Sequence, residues 1–172
     1  GDVYKRQVID AVAEIPDATL RIVGSGPERE SLERRAYEQG CANRVIFAGD
    51  VAEHEAVIAL MKAAKVVALP SEREGFGIAV AEALACGTPV VTSNHPDNEA
   101  RNLVDDGVDG SVIAAGSSDE LRNALARWRT PDHARTSLRS SFWAHHGDLE
   151  WDHVADNYLN ALISFGKRRT AD

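Results

Sequence analysis

Residues 66–92 read VVALPSEREGFGIAVAEALACGTPVVT, and this stretch decides the fold. It opens with a short apolar run at residues 66–70 and continues through a glycine-containing loop. A segment that is apolar on nearly every face follows at residues 77–86, and a second short apolar run closes the stretch at residues 89–92. Short apolar runs bounded by turn residues predict buried strands, and the longer apolar segment between them predicts a buried helix. The stretch therefore predicts a strand–helix–strand unit of a parallel sheet.

The same alternation extends along most of the chain. Short apolar strands that alternate with helices of about ten residues are typical of a parallel sheet with helices on both faces. We therefore predict a single α/β domain with a doubly wound, Rossmann-like parallel sheet. The predicted strands are residues 19–23, 45–49, 66–70, 89–92 and 111–113, and the predicted helices are residues 8–13, 28–39, 53–64, 77–86, 119–127, 132–145 and 151–165, with a short helix near 99–104.

Composition and charge exclude several classes of function. The chain has 172 residues, of which 44% are hydrophobic and 27% charged, and its formal net charge is −8. An acidic chain offers no basic face to nucleic acid. The two cysteines, Cys41 and Cys86, are isolated and have no CxxC spacing, which favours packing in a reducing compartment. With no signal peptide and no apolar stretch near 18 residues, we expect a cytoplasmic protein. The histidines show no metal-ligand spacing, and we expect no metal site.

Glu82 is the one charged side chain in the apolar segment 78–86. A carboxylate on a buried helix is costly unless it is hydrogen-bonded, so we expect Glu82 to face a polar cleft. Glu74 precedes it by eight residues, a rise of about 12 Å if all were helical, whereas a retaining glycosidase needs its carboxyls about 5 to 5.5 Å apart. The two glutamates are therefore predicted to bind one elongated ligand at separate points, and vicinal sugar hydroxyls suit such carboxylates.

The loop before this helix is suited to an anionic group. Gly75 and Gly77 let the backbone approach a ligand closely, and the amides near Phe76, Gly77 and Ile78 lie at a helix N-terminus, which attracts negative charge. Another glycine pair, Gly24 and Gly26, follows the first predicted strand, but Arg29 occupies the place of the third glycine of a dinucleotide fingerprint. That pair alone is a weak signal.

Together these segments resemble a known family. Residues 70–78 and 82–91, PSEREGFGI and EALACGTPVV, are similar to the E-x7-E motif of retaining glycosyltransferases of the GT-B fold, the large group-1 family. Residues 23–27 resemble the G-x-G-P turn of that family, residues 45–49 its strand before the base-binding loop, and Glu99 with residues 106–110 its E…DGxxG segment. The resemblance covers about residues 8–165 and implies the C-terminal, donor-binding half of the fold.

The resemblance implies a role for individual residues. Glu82 would hold the ribose of a nucleotide sugar, and Glu74 would contact the transferred sugar as the catalytic residue. Backbone amides of the loop would meet the sugar and the diphosphate, the loop at residues 49–51 would border the base, and Gly24 would let the nucleotide pass close. The implied substrate-binding set is Gly24, Gly49, Val51, Ser71, Gly75, Phe76, Gly77, Ile78 and Glu82. The donor would be a UDP-, GDP- or ADP-sugar, with no resident cofactor.

The start of the chain departs from the family pattern. A complete donor half begins with a strand, a glycine turn and a basic pair, and the family adds an N-terminal domain that binds the acceptor. We interpret residues 1–7 as a non-native or scar segment and residues 8–172 as a truncated donor domain. The expected partners are a nucleotide sugar, a sugar, lipid or small-molecule acceptor, and the N-terminal domain, with the whole protein able to lie peripherally on a membrane. We expect the fragment alone to be inactive.

Two other functions fit the same residues. A non-catalytic module that binds a nucleotide or a sugar phosphate would use the same loop and helix. A GT-B phosphorylase would share the cleft but use inorganic phosphate. Sugar transfer from a nucleotide sugar with retention of configuration is the function that the resemblance favours.

Overall fold

The computed structural model describes residues 2–128 and 133–146. Helices and strands alternate through these residues. The strands are β1 (Leu20–Val23), β2 (Val45–Gly49), β3 (Val67–Leu69), β4 (Val90–Ser93) and β5 (Gly110–Ile113); the helices are α1 (Asp2–Glu14), α2 (Arg29–Glu38), α3 (His54–Ala63), α4 (Ile78–Ala85), α5 (Ser118–Arg127) and α6 (His133–His146), with short 3-10 helices at Ala42–Arg44 and Glu99–Leu103.

The predicted α/β alternation is confirmed. The five strands, and the helices α2 to α6, lie within one residue of their predicted bounds at each end. The segment near residue 99 is a 3-10 helix, and the turn at Ala42–Arg44 was not predicted. Helix α1 begins at Asp2, so residues 2–7 continue the helix, and their interpretation as non-native sequence stays a prediction. The helix predicted at residues 151–165 lies outside the described residues.

The strands form two separate parallel sheets rather than one continuous sheet, and these are called the β1–β2 ladder and the β3–β4–β5 ladder below. Strand β1 pairs with β2, while β4 lies between β3 and β5, with Val67 opposite Val90 and Val90 opposite Gly110. Helix α1 packs across both ladders, because its side chains share one apolar cluster with Leu20 of β1 and Ala68 of β3. Within the described residues, one edge of β1 and one edge of β3 therefore have no strand beside them.

Helices cover both faces of the β3–β4–β5 ladder. Val91 packs in a cluster with α1 and α5, whereas its neighbour Val90 packs with α4, the second 3-10 helix and Phe142 of α6. Because successive side chains of a strand point to opposite faces, these two residues show that the ladder is doubly wound. All four residues of β4 are buried, as expected for a parallel strand covered on both sides.

Arg44 closes the C-terminus of α1 from a distant point in the chain. Its Nη1 donates to the carbonyl oxygens of Val12, Ile15 and Ala18 at 2.9, 3.0 and 3.0 Å, and its Nη2 donates to that of Ala13 at 2.9 Å. The last carbonyls of a helix have no partner within the helix and need donors from elsewhere. One guanidinium therefore satisfies the end of α1 and the turn into β1.

We predict that Arg44→Met lowers the free energy of unfolding by about 3 kcal/mol, because several charge-assisted hydrogen bonds are lost and the carbonyls are left without a donor. Urea denaturation of the 172-residue chain measures the change. Arg34→Met, at an exposed position on α2, is the matched control. Equal midpoints for the two variants would contradict this role for Arg44.

Candidate functional site

The loop between β3 and α4 is joined to the loop that follows β4. The backbone N–H of Glu74 donates to the carbonyl of Asp97 at 3.2 Å, and the N–H of Glu99 donates to the carbonyl of Glu74 at 2.9 Å. Glu74 and Asn98 thus form an isolated parallel β-bridge. Both loops follow the carboxyl ends of parallel strands, the edge at which α/β sheets bind ligands. The backbone of Glu74 is therefore held in place at that edge.

A buried polar network lies under this loop. Thr92 Oγ1 donates to the carbonyl of Leu69 at 3.0 Å, and Ser93 Oγ donates to the carbonyl of Ser71. Asn98 is fully buried, and its Nδ2 donates to Thr92 Oγ1 at 3.0 Å and to the Ser93 carbonyl at 2.9 Å. Its Oδ1 has no hydrogen-bond partner among the described residues. Buried polar groups that are hydrogen-bonded to one another hold a single geometry, so this network orders the ends of β3 and β4.

Glu74 and Ser71 line a cavity of about 250 Å³. The cavity lies between the loop at residues 70–74 and the first turns of α1, which contribute Tyr4 and Gln7, and Gly116 completes its lining. Ser71 is 5% exposed and its backbone carbonyl is already an acceptor for Ser93. Glu82 is not part of this cavity.

The two positions of the loop that carry glycine, 75 and 77, differ in whether the structure requires a glycine there. Gly77 has φ +81°, and a Cβ built there would lie 2.3 Å from the Cβ of Ala100. A Cβ on Gly75 would have no atom within 4 Å, and Gly75 does not have a positive φ. Gly77 is therefore required by the packing of the protein itself, whereas Gly75 leaves open space in front of the loop. The side chains of Phe76 and Ile78 are exposed beside that space.

We predict that Gly77→Ala lowers the free energy of unfolding by about 2–3 kcal/mol, from the close contact with Ala100 and the strain at positive φ. Gly75→Ala is the matched variant, and we expect it to change stability by less than about 0.5 kcal/mol. Denaturant unfolding of the two variants checks both values. A larger loss for Gly75→Ala than for Gly77→Ala would contradict this reading of the loop.

Glu82 lies on α4 with its side chain 24% exposed. Its Oε1 is 3.5 Å from Nε2 of His54, the first residue of α3, whose side chain is 69% exposed. The expectation that α4 buries its apolar residues holds for Val80, Ala83 and Leu84, all at 1% exposure or less. Glu82 thus lies at the margin of the buried face, where a ligand can reach it. The contact of Glu82 with a ribose stays a prediction.

The loops that follow β1 and β2 are tied to each other. The N–H of Gly24 donates to the carbonyl of Gly49 at 2.8 Å, and both glycines have positive φ, +110° and +69°. The N–H of Ser25 donates to Asp50 Oδ1 at 2.8 Å, and its hydroxyl donates to Oδ2. Val51 follows directly and is half-buried. Three predicted site residues, Gly24, Gly49 and Val51, therefore lie together at one end of the β1–β2 ladder.

The DGxxG segment at residues 106–110 belongs to the packing of the sheet. A Cβ on Gly110 would lie 2.2 Å from the carbonyl oxygen of Val90, so the pairing of β4 with β5 requires a glycine there. Asp109 is 2% exposed, and its Oδ1 accepts from the N–H of Asp105 at 2.8 Å. Burial raises the pKa of the Asp109 carboxyl, outweighing that hydrogen bond. Within the described structure, Asp109 and Gly110 of the motif therefore serve the packing of the sheet.

Asp109 makes stability depend on pH. Because its pKa is raised in the folded state, its contribution to stability is fully present below the usual pKa of an aspartate and is lost as the pH rises through the raised pKa. We predict that Asp109→Asn removes this loss, so that the Tm of the variant relative to the parent increases from about pH 4 to pH 7. Asp106→Asn, an exposed carboxylate in the same turn, is the control. The same slope in both variants would contradict the assignment.

Solved structures match the whole fold described above. The structure of Anabaena HepE in complex with UDP and glucose superposes with a TM-score of 0.76 at 30% identity, covering 93% of this chain and 44% of that one. HepE and the other structural neighbours have the GT-B fold. The fold is therefore an α/β fold of the GT-B type, as predicted.

The sequence comparisons agree with the structural ones. The family model for glycosyl transferases group 1 matches residues 5–140. A D-inositol 3-phosphate glycosyltransferase of Mycolicibacterium paratuberculosis is 33% identical over 159 residues, covering 88% of this chain and 35% of that protein. A protein of the same description from Stackebrandtia nassauensis is 35% identical over 177 residues, covering 98% and 39%. The chain belongs to the group-1 glycosyltransferases, and it spans less than half the length of these relatives.

Sequence reasoning singled out both glutamates and the glycines and placed Asp50 in the loop at residues 49–51, but it missed the contacts that Asn98, His54 and Asp50 make. His54 contacts Glu82 directly, Asn98 forms the β-bridge with Glu74, and Asp50 bonds Ser25, the neighbour of Gly24. A polar residue just after a strand was the available signal for Asp50, and the other two had none. As to the membrane, none of the described helices combines the length and the apolar character needed to cross one.

Proposed function

We propose that this chain is the donor-binding half of an enzyme that transfers a sugar from a nucleoside-diphosphate sugar to an acceptor, with retention of anomeric configuration. Membership of the group-1 family supports glycosyl transfer, and the relative HepE has been solved with UDP and with UDP-glucose. The observation that carries the proposal is the fixed backbone of Glu74, bridged to Asn98 beside the open space in front of Gly75. A carboxylate carried on a fixed backbone can bind sugar hydroxyls with little movement of the main chain.

The loop and α4 would divide the donor between them. Glu82 would accept hydrogen bonds from the ribose diol, and Glu74 would contact the transferred sugar from the cavity that it lines. The first amides of α4 have no acceptor within the helix, and in this proposal they would face the diphosphate. Fixed amides and the helix dipole would stabilise the charge on the departing nucleoside diphosphate, which lowers the barrier to transfer. Ser71 would line the same cavity as Glu74, and Phe76 and Ile78 would lie beside the open space in front of Gly75.

The loops after β1 and β2 would complete the nucleotide subsite. The backbones of Gly24 and Gly49 are joined by a hydrogen bond. A Cβ built on either glycine would have no atom within 4 Å, so the space beside both is open. A nucleotide could therefore lie close to both glycines. Asp50 holds Ser25 through two hydrogen bonds, which fixes the shape of the first loop. Val51 would border the base.

The edges of β1 and β3 that have no strand beside them in the described residues support a donor domain that continues outside this chain. A parallel strand between β1 and β3 would join the two ladders, and α1 already packs across the gap. Strands that are consecutive in the chain are neighbours in the sheet in most parallel units, so we propose that a strand before α1 would pair with β1. We propose that residues 8–172 form the rest of the donor domain, that a separate domain binds the acceptor, and that the protein acts in the cytoplasm. The 172 residues alone would then transfer no sugar.

Binding experiments with paired variants test the two glutamates. We expect Glu82→Gln to weaken binding of nucleoside diphosphate and of nucleotide sugar alike, by about 10- to 100-fold, because a charge-assisted hydrogen bond contributes roughly 1.5 to 3 kcal/mol. Glu74→Gln should weaken binding of the nucleotide sugar only. Calorimetric titration with UDP, GDP, ADP and their glucose conjugates measures both, and Glu38→Gln at the far end of α2 is the control.

The outcomes separate this proposal from a purely structural site. A structural Glu82 would lower Tm on substitution and leave both affinities unchanged, which would contradict its proposed role. Sugar transfer to water or to an added acceptor by the 172-residue chain would overturn the expected inactivity. Inversion of the anomeric centre by a full-length enzyme that contains this chain would overturn retention.

A further inference from the structure

His54 lies next to the carboxylate of Glu82, the group that we propose binds the ribose. Nothing in the sequence position of His54 indicates this. It is the first residue of α3 and lies three residues after Val51, the last residue of the loop at residues 49–51 that would border the base. Its Nε2 lies 3.5 Å from Oε1 of Glu82 on α4. We propose that His54 is a positioning residue of the nucleotide subsite, which orients the Glu82 carboxylate for the ribose diol. The inference rests on the proposed function of Glu82.

The packing of α3 on α4 places the backbones of His54 and Glu82 next to each other. Met61, near the C-terminus of α3, packs against the apolar cluster that contains Val80 and Leu84 of α4. The carbonyl of Met61 also accepts a hydrogen bond from Thr88 Oγ1 at 2.8 Å, and Thr88 is fully buried. Since α3 is anchored to α4 and to the turn that follows it, its first residue is held opposite Glu82. The packing of the two helices therefore brings His54 next to Glu82.

The contact has a clear effect on the carboxylate. Glutamate has three side-chain torsions, and holding it in one rotamer costs conformational entropy when a ligand binds. An imidazole whose Nε2 side faces the carboxylate can attract it through the dipole of a ring N–H and so favours the rotamer that faces it. The contact involves Oε1, and Oε2 can accept from a ribose hydroxyl. Preorganisation of this kind strengthens binding without adding a direct contact to the ligand.

The ribose itself offers a selective readout. Removing the 2′-hydroxyl removes one donor to Glu82, so the ratio of affinities for UDP and 2′-deoxy-UDP reports on how well the carboxylate is placed. We expect the 172-residue chain to favour UDP by about tenfold, one good hydrogen bond. The same measurement with GDP and ADP and their 2′-deoxy forms covers the other bases. A general loss of structure would lower both affinities together.

The decisive experiment compares three variants by calorimetric titration. We expect His54→Ala to reduce the preference for the ribonucleotide to about threefold or less, with little change in affinity for the 2′-deoxynucleotide and in Tm. His54→Gln, whose amide can donate from a similar position, should restore most of the preference. Glu55→Ala, at the next exposed position on α3, is the matched control and should retain the full preference.

Each outcome assigns the failure to one proposal. If the parent chain does not distinguish ribose from 2′-deoxyribose, or Glu82→Gln leaves the preference intact, the proposed role of Glu82 is wrong. If the parent and Glu82→Gln behave as expected while His54→Ala keeps the full preference, only the inference about His54 is overturned. Equal loss of both affinities together with a lower Tm would show a structural role for His54, which also overturns it.

Discussion

The buried amide of Asn98 is the constraint on which the rest of the site depends. It has no exposed surface, and its Nδ2 links the hydroxyl of Thr92 to the backbone of Ser93 at the end of β4. Through its neighbours in the chain it also aligns the two backbone hydrogen bonds that hold Glu74. A buried amide costs free energy unless its donors are used, so the protein accepts one polar network in its interior in return for a loop of defined shape.

Around that network, the helix α4 combines three demands in a short length. The residue just before the helix, Gly77, must be a glycine because Ala100 leaves no room for a side chain. The middle of the helix must be apolar to fill the core, and the margin of its buried face carries Glu82. These demands explain why the stretch from Gly77 to Cys86 is made of small and apolar residues with a single acidic one. They also explain why that stretch was informative: most of its apolar positions are buried or half-buried, and its one charged residue, Glu82, lies at the margin of the buried face.

The sequence was sufficient to predict the elements but not their full arrangement. Periodicity located each strand and the helices from α2 to α6, because parallel strands buried on both faces are short and uniformly apolar, as in Val90 and Val91. Pairing of strands is a property of distant segments, so the separation of the β1–β2 ladder from β3 could not be read from local patterns. The same reason applies to Asn98 and His54, whose importance lies in partners on other elements. Asp109 shows the converse, since a residue in a recognised motif turned out to be buried in the packing of the sheet.

The guanidinium of Arg44 also bears on how the chain assembles. Helix α1 ends at Glu14, but the donors for its last carbonyls come from a residue that immediately precedes β2. The end of α1 is therefore complete only when the β1–α2–β2 segment has returned to it, across about thirty residues of intervening chain. Helix and ladder then form a single cooperative unit, and local opening at one should expose the backbone amides of the other to solvent exchange at a common rate.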